Sequence, residues 1–438
     1  MRVGRRLVTG VFTAGLLAGV GLLTACGGSS NSSSGNANVR LLNATSGYAS
    51  LDLALDTKAV NTAVLFGAAG SYGSAASSGV ATVITATGSP AALSTVSRTL
   101  TKDAHYTLIA YGSPGALVTR VIQENTAAPA SGLTSLQVIN LAPDAGTVDV
   151  YLTGSADTLD GATPVASALA AGSSLPFTNF TSSTYRLRVT GAGSKTDVRL
   201  DASGVVLDSA KVVTLVLSNG VGGVLVNSAL LVQQGAATAL ANTQARVRVI
   251  AAVTKGATVT ATVGSTTVAG AVTSPNIAGT YTQVPASTNA PLTVTVNGVA
   301  KSLAGQVIAA GGDYTLLVNG NAANPTLALL TDDNRYPTVS GNAKVRLFNV
   351  TSGAAATYSL KSDFSAVADA VAQGQASAFV NLAASTTTTV RMDVNDAANV
   401  SLTPVTTGYP VTLAAKGVYT MYVVGDSGAP GFAFSKER

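Results

Sequence analysis

One cysteine, Cys26, stands in a chain of 438 residues, and tryptophan is missing altogether. With no second cysteine there is no internal disulfide, so each domain must bury a core of its own, which units of ~100 residues can do. Histidine also occurs once, as His105. A Ser-His-Asp hydrolase needs a histidine to shuttle its proton, and no Gly-x-Ser-x-Gly elbow accompanies this one. His105 therefore reads as an exposed or capping residue. Zinc sites draw on clusters of Cys and His, which a single chain of this composition does not provide. Glutamate occurs only at Glu124 and Glu437, and no spacing of acids points to the facing carboxylate pair of a glycosidase. Charged residues are 10% of the chain, against the usual ~25%. No block of Lys or Arg marks a nucleic-acid partner. Aromatic residues are 5%, which weakens a sugar-stacking surface; Tyr48, Tyr72 and Tyr111 are the best exposed candidates, with packing as their other reading. No enzyme class and no cofactor is indicated.

What is present begins with a graded amino terminus. Arg2, Arg5 and Arg6 precede an apolar run from Val8 to Leu22, and Leu23-Thr24-Ala25-Cys26 follows. This order of charged, apolar and small-residue regions is that of a secretory signal. The apolar run falls short of the ~20 residues that span a bilayer. The last four residues resemble the bacterial lipobox, which implies cleavage before Cys26 and acylation of its sulfur. Stable anchoring takes more than one acyl chain, as the resemblance also implies. By resemblance to the lipoprotein sorting rule of enteric bacteria, Gly27 in place of aspartate after the cysteine implies the outer membrane. Removing Met1–Ala25 lowers the formal net charge from +5 to about +2. The segment GGSSNSSSGNAN, residues 27–38, has a flexible-linker composition with a reach of roughly 20 Å.

Beyond Asn38 the chain repeats. Four segments open alike: Val39-Arg40-Leu41-Leu42-Asn43, Leu136-Gln137-Val138-Ile139-Asn140, Val247-Arg248-Val249-Ile250-Ala251 and Val345-Arg346-Leu347-Phe348-Asn349. A second landmark recurs late in each unit, at Tyr106-Thr107-Leu108-Ile109, Val213-Thr214-Leu215-Val216, Tyr314-Thr315-Leu316-Leu317 and Tyr419-Thr420-Met421-Tyr422. Each run ends near a glycine: Gly112, Gly220, Gly320 and Gly425. Two landmarks in step define a string of domains, placed at 39–128, 133–240, 244–336 and 342–438.

Between the landmarks, segments such as Tyr185-Arg186-Leu187-Arg188-Val189 and Leu292-Thr293-Val294-Thr295-Val296 alternate apolar and polar residues, the mark of half-buried strands. Asn297-Gly298 is a hairpin signal. The Ala-rich stretch Ala366 to Ala378 reads as a short helix or a loop. The pattern predicts an all-β protein of tandem immunoglobulin-like β-sandwich domains. Tyr106, Tyr314 and Tyr419 stand where such sandwiches carry a corner tyrosine bonded to the backbone; the second unit has Val213 there. Asp332-Asp333-Asn334, between the third and fourth units, reads as a solvated linker rather than a calcium cluster.

The second unit opens LQVINLAPDAGTVDVYLTG, Leu136 to Gly154. This resembles the domain-of-unknown-function family 4397, whose members open with a strand, an Ala/Ser-Pro-Asp-Ala turn and Val-Asp-Val-Tyr. The corresponding residues are Ala142-Pro143-Asp144-Ala145 and Val148-Asp149-Val150-Tyr151. The resemblance implies secreted or surface-anchored β domains in tandem and transfers no catalytic residue. Asp144 and Asp149 are weak ligand candidates; turn formation explains Asp144, and alternation turns Asp149 away from the core. The expected protein is a non-enzymatic, lipid-anchored envelope protein presenting domains for binding, adhesion or spacing. It meets the membrane through its lipid, and its protein or glycan ligand stays open, as does the face of the membrane it occupies. The alternatives are a periplasmic structural lipoprotein that contacts cell wall or envelope partners, and an unrecognised hydrolase built from Asp, Ser and Thr.

Overall fold

Val, Thr and Ala alternating between turns give strands almost everywhere. The computed structural model describes residues 35–397 and 406–438. The expected signal peptide, Cys26 and the expected linker as far as Ser34 lie outside the described residues. Gly35–Arg438 cluster as a single unit. The one helical turn among the described residues is a 3-10 turn at Pro143–Ala145.

The first sandwich sets the plan. Its strands are β1 (Asn36–Asn43), β2 (Ser50–Leu55), β3 (Lys58–Leu65), β4 (Gly73–Ala76), β5 (Val80–Ala86), β6 (Ala92–Arg98), β7 (His105–Ser113) and β8 (Ala116–Gln123). One sheet runs β4-β1-β7-β8 and the other β3-β2-β5-β6. The division is four and four, where the constant-type immunoglobulin sandwich divides seven strands four and three. All pairs are antiparallel except β1 with β7, which run parallel with Val39 beside Tyr106. The two landmarks of the sequence are thus neighbouring strands. The same parallel pairing sets Leu136 beside Val213, Val247 beside Tyr314 and Val345 beside Tyr419.

Each pair of sheets encloses its own core. Leu41, Leu53, Ile84 and Leu108 fill the first, and Val150, Leu187 and Leu215 the second. Val259, Leu292 and Leu316 fill the third, and Leu347, Leu360 and Met421 the fourth. The landmark strands are apolar on their other face as well, as strands buried on both sides must be. Leu42 and Ile109 of the first sandwich meet Ile139, Val216 and Leu231 of the second. Ile250 and Leu317 of the third meet Phe348 and Tyr422 of the fourth, whose rings stack with centroids 5.7 Å apart. The sandwiches are therefore packed as two face-to-face pairs.

Three details depart from the sequence reading. Asn36–Asn38 belong to β1 and pair with Ser74–Ala76, so the linker ends earlier than its composition suggests. Ala366 to Ala378 is neither helix nor loop: it supplies strands Ser365–Ala372 and Gln375–Ala376, bent by the positive φ of Ala370. Asp332 and Asn334 are buried, so that linker is not simply solvated. The Asn297-Gly298 turn has positive φ at both residues, 49° and 81°, as a two-residue type I′ hairpin requires.

Candidate functional site: the interfaces and the central junction

Buried charge collects on the outward faces of the landmark sheets, where neighbouring sandwiches meet. In the first, Arg40 on β1 donates through Nε to Thr107 Oγ1 on β7 at 2.8 Å. Its Nη2 reaches both oxygens of Glu124, just past β8, at 3.0 and 3.1 Å. Tyr72 donates to Glu124 Oε2 at 2.6 Å, and its ring lies 4.5 Å from the Arg40 guanidinium. Burial and Glu124 together push the Tyr72 hydroxyl above its ordinary range. Tyr72 is thus tied into the interface rather than free as a stacking platform. His105 packs edge-on to Tyr72 with ring centroids 4.9 Å apart. From the second sandwich, the Gln234 amide donates to Glu124 Oε2.

The third and fourth sandwiches each repeat the trio, and the copies cross over. Arg248 donates to Thr315 at 2.9 Å and to Glu437. Arg346 donates to Thr420 at 3.1 Å and to Asp332 at 2.7 Å. Tyr281 and Tyr422 donate to Asp332 and Glu437, each at 2.7 Å. Burial by itself raises the Asp332 carboxyl, but Arg346 and Arg248 outweigh it and hold it below the usual carboxylate range. Asp333 accepts from Arg335 and pairs with Lys344. Among the described residues no group of three or more Asp, Glu, His or Cys is gathered as a metal site. In the second sandwich the arginine position is Gln137, and Gln233 stands where Glu124 and Glu437 stand in their units. Gln233 clasps Thr126 through both backbone groups, at 3.0 and 2.8 Å. Each interface thereby balances its charge: one pair plus two amides in the first, two pairs in the second. A repeated arginine in the opening landmark, and the two lone glutamates, were the sequence signals for this network.

The tyrosines of the later landmark each accept a backbone hydrogen bond five residues upstream. Tyr106 accepts from Thr101 N at 2.9 Å, Tyr314 from Ala309 N at 2.8 Å and Tyr419 from Ala414 N at 2.9 Å.

Asp144 and Asp149 have separate surroundings and share no partner. Both Asp149 oxygens accept from backbone, Ala168 N at 2.7 Å and Gly193 N at 2.8 Å. The residue points away from its core, as alternation predicts, yet the strand Ala166–Leu169 and the turn at Gly193 bury it. Asp144 is also buried. It accepts from Asn219 Nδ2 at 2.6 Å and from the Tyr336 amide at 2.8 Å. Burial raises its carboxyl despite the Tyr336 amide and nearby Arg438. The Ala-Pro-Asp-Ala turn thus pins the linker between the third and fourth sandwiches.

Around that pin the second sandwich meets the second pair. Gly222 N donates to Gly311 O at 2.8 Å and Asn334 N to Gly222 O at 3.1 Å. A Cβ on Gly222 would lie 2.5 Å from Asp313 N, so only glycine permits this approach. Tyr336 lies between two cavities. One, of about 350 Å³, is lined by Arg199, Arg246, Arg438, Tyr281 and Asn334. The other, of about 480 Å³, is lined by Pro114, Pro143, Phe379 and Lys416.

Residues 37–151 and 245–359 match the family of the domain of unknown function DUF4397. The chain belongs to this family. Each DUF4397 match covers one whole sandwich, the first or the third, and runs into the opening strands of the next. The family turn at Ala142–Ala145 therefore falls near the end of the first match rather than at its start. Among solved structures, a candidate cell adhesion protein of Bacteroides ovatus is 14% identical, with 48% of this chain and 98% of that one covered at a TM-score of 0.21. A second, from Bacteroides uniformis, is 13% identical, with coverages of 46% and 98% and a TM-score of 0.20. No curated protein matches the sequence.

Proposed function

We propose that this DUF4397 protein is a non-enzymatic, lipid-anchored envelope protein that holds a stiff array of β-sandwiches off the membrane for binding or adhesion. The observation that carries this reading is the pairing of sandwiches through buried, charge-balanced interfaces. A string of freely jointed domains has no need of Arg248 and Arg346 crossing to the acids Glu437 and Asp332. A body meant to present its loops in fixed relation does. The end loops of such a body suit recognition, and Leu23-Thr24-Ala25-Cys26 followed by a Gly/Ser linker supports attachment through Cys26. A second reading, a structural lipoprotein that contacts the cell wall from the periplasm, is favoured by the linker's short reach of roughly 20 Å.

The test joins lipid labelling to protease shaving. Labelled palmitate should enter the wild type and not Cys26→Ser. Label in the variant would remove the anchor from the proposal. Digestion on intact cells supports surface display and sends the search to glycan or protein ligands outside the cell. Digestion only after lysis supports the periplasmic reading.

A further inference from the structure

The four landmark sheets do not end alike. In the second sandwich the passage toward the third turns back as Ala237–Leu240 and adds a fifth strand, antiparallel, to Val226–Val232. Val232 N donates to Ala236 O at 3.0 Å. Leu240 packs against the second core, and Ala237 against the apolar cluster between the first two sandwiches. The matching strands of the other three sandwiches are β8, Asn324–Asp332 and Gly431–Lys436. Among the described residues each is the last strand of its sheet.

Register decides which residues face those edges. Gln233 N donates to Val212 O, Glu124 N to His105 O and Glu437 N to Val418 O. These residues turn their backbone inward, so Val232, Gln123 and Lys436 turn theirs outward. The period of two then aligns Leu230 with Val121 and Phe434, and Ser228 with Thr119 and Phe432. In the third sandwich Asp332 lies beside Asp313, which places Pro325 at an outward position where it offers no donor. In the first, Arg98 donates to Thr119 Oγ1 at 2.6 Å, and a charged side chain there guards the edge.

The fourth edge has neither device, only Lys436 at its end. The rest reads Gly-Phe-Ala-Phe-Ser. Gly431–Ser435 are all partly exposed, while Val418–Val423 of the neighbouring strand are buried, so the opening is through the edge. Phe434 stacks on Tyr419 with centroids 5.2 Å apart, and Tyr409, 37% exposed, lies 6.5 Å from it. An apolar edge left open in this way is a template for another strand.

We propose that Gly431–Lys436 pairs antiparallel with the same strand of a second copy of the chain. The second sandwich supports this direction, since its equivalent edge takes an antiparallel strand. The sequence also fits itself. Centred on Phe434, the pairing sets that ring beside its own copy and Lys436 beside Phe432 of the second chain. These are an aromatic pair and a cation beside a ring, with no like charges opposed. The dimer needs neither the lipid anchor nor a ligand, so it stands or falls separately from the proposed function.

The experiment is sedimentation equilibrium of the full-length chain in density-matched detergent, which should return twice the mass of one chain at micromolar concentration. Lys436→Pro removes an edge-facing donor at an exposed position. It should weaken the dimer by about tenfold or more and leave the thermal unfolding midpoint of the dilute chain unchanged. Lys436→Arg keeps donor and charge and should remain dimeric. Hydrogen exchange supplies a readout that needs no variant: the amides of Phe432 and Phe434 should be protected increasingly as concentration rises. A single-chain mass up to about 100 μM overturns the proposal. So does a dimer that Lys436→Pro leaves intact, or rapid exchange at Phe432 and Phe434 in the dimer.

Discussion

Arg40 and Gln137 hold the same position in neighbouring sandwiches, and that one difference decides how much charge the first interface must bury. Arg40 and Glu124 form a pair whose side chains are 5% and 3% exposed. Buried pairs of this kind gain little over a well-packed neutral replacement, but losing one member strands the other and costs ~3–5 kcal/mol. Arg40→Gln should therefore destabilise the protein by about that amount, read as a lowered urea midpoint with unchanged slope. Adding Glu124→Gln should recover most of the loss, since Gln137 and Gln233 already serve the second sandwich without charge. A double variant no better than the single one would mean that the pair supplies attraction rather than mutual neutralisation. With no tryptophan to follow, far-UV circular dichroism is the natural signal.

At the scale of single elements, the three corner tyrosines stitch the approach to the landmark strand onto the strand itself. Tyr314→Phe keeps the ring in its core and leaves the Ala309 amide without its acceptor. A loss of about 1 kcal/mol is expected, against little change for Tyr185→Phe, whose hydroxyl bonds Thr181 O in an exposed setting. Equal effects would show that the corner bond is ordinary. This scale is also where the sequence was most readable. The two landmarks marked β1 and β7 and their counterparts because strands buried on both faces leave continuous apolar runs, and Asn297-Gly298 marked its hairpin because only a few residues accept positive φ in succession. Alanine carries no such mark. In Ala366 to Ala378 it gave neither a helical stripe nor a clear alternation, and pairing with Thr357–Ser362 decided the outcome. Asp149 was legible in direction and not in burial, since the edge strand Ala166–Leu169 and the turn at Gly193 that cover it arrive from elsewhere in the unit.

For the whole molecule, the decisive contacts are those between units, and local pattern says least about them. The repeats invite a beads-on-a-string picture in which proteolysis at each linker frees fragments of about a hundred residues. The linkers are not alike, however. Ala127–Gly132 is largely exposed. Asn242 is buried, with Nδ2 bonded to Arg199 O and Val226 O at 2.7 and 3.0 Å, and Tyr336 is held by Asp144. Cleavage needs a linker that can leave the surface and enter a protease. Limited proteolysis should therefore cut first within 127–132, while 241–244 and 336–342 resist. The two fragments from that first cut should still elute together under native conditions, because Leu42 and Ile109 remain packed on Ile139 and Val216, and should part only in denaturant. Gly222→Ala supplies the complementary case. A Cβ pressed against Asp313 N should loosen the central junction, so that the linker at 336–342 becomes cleavable while both pairs stay folded. If the variant cleaves like the wild type, the junction gives way without cost, and the stiffness proposed for the array resides within the pairs alone.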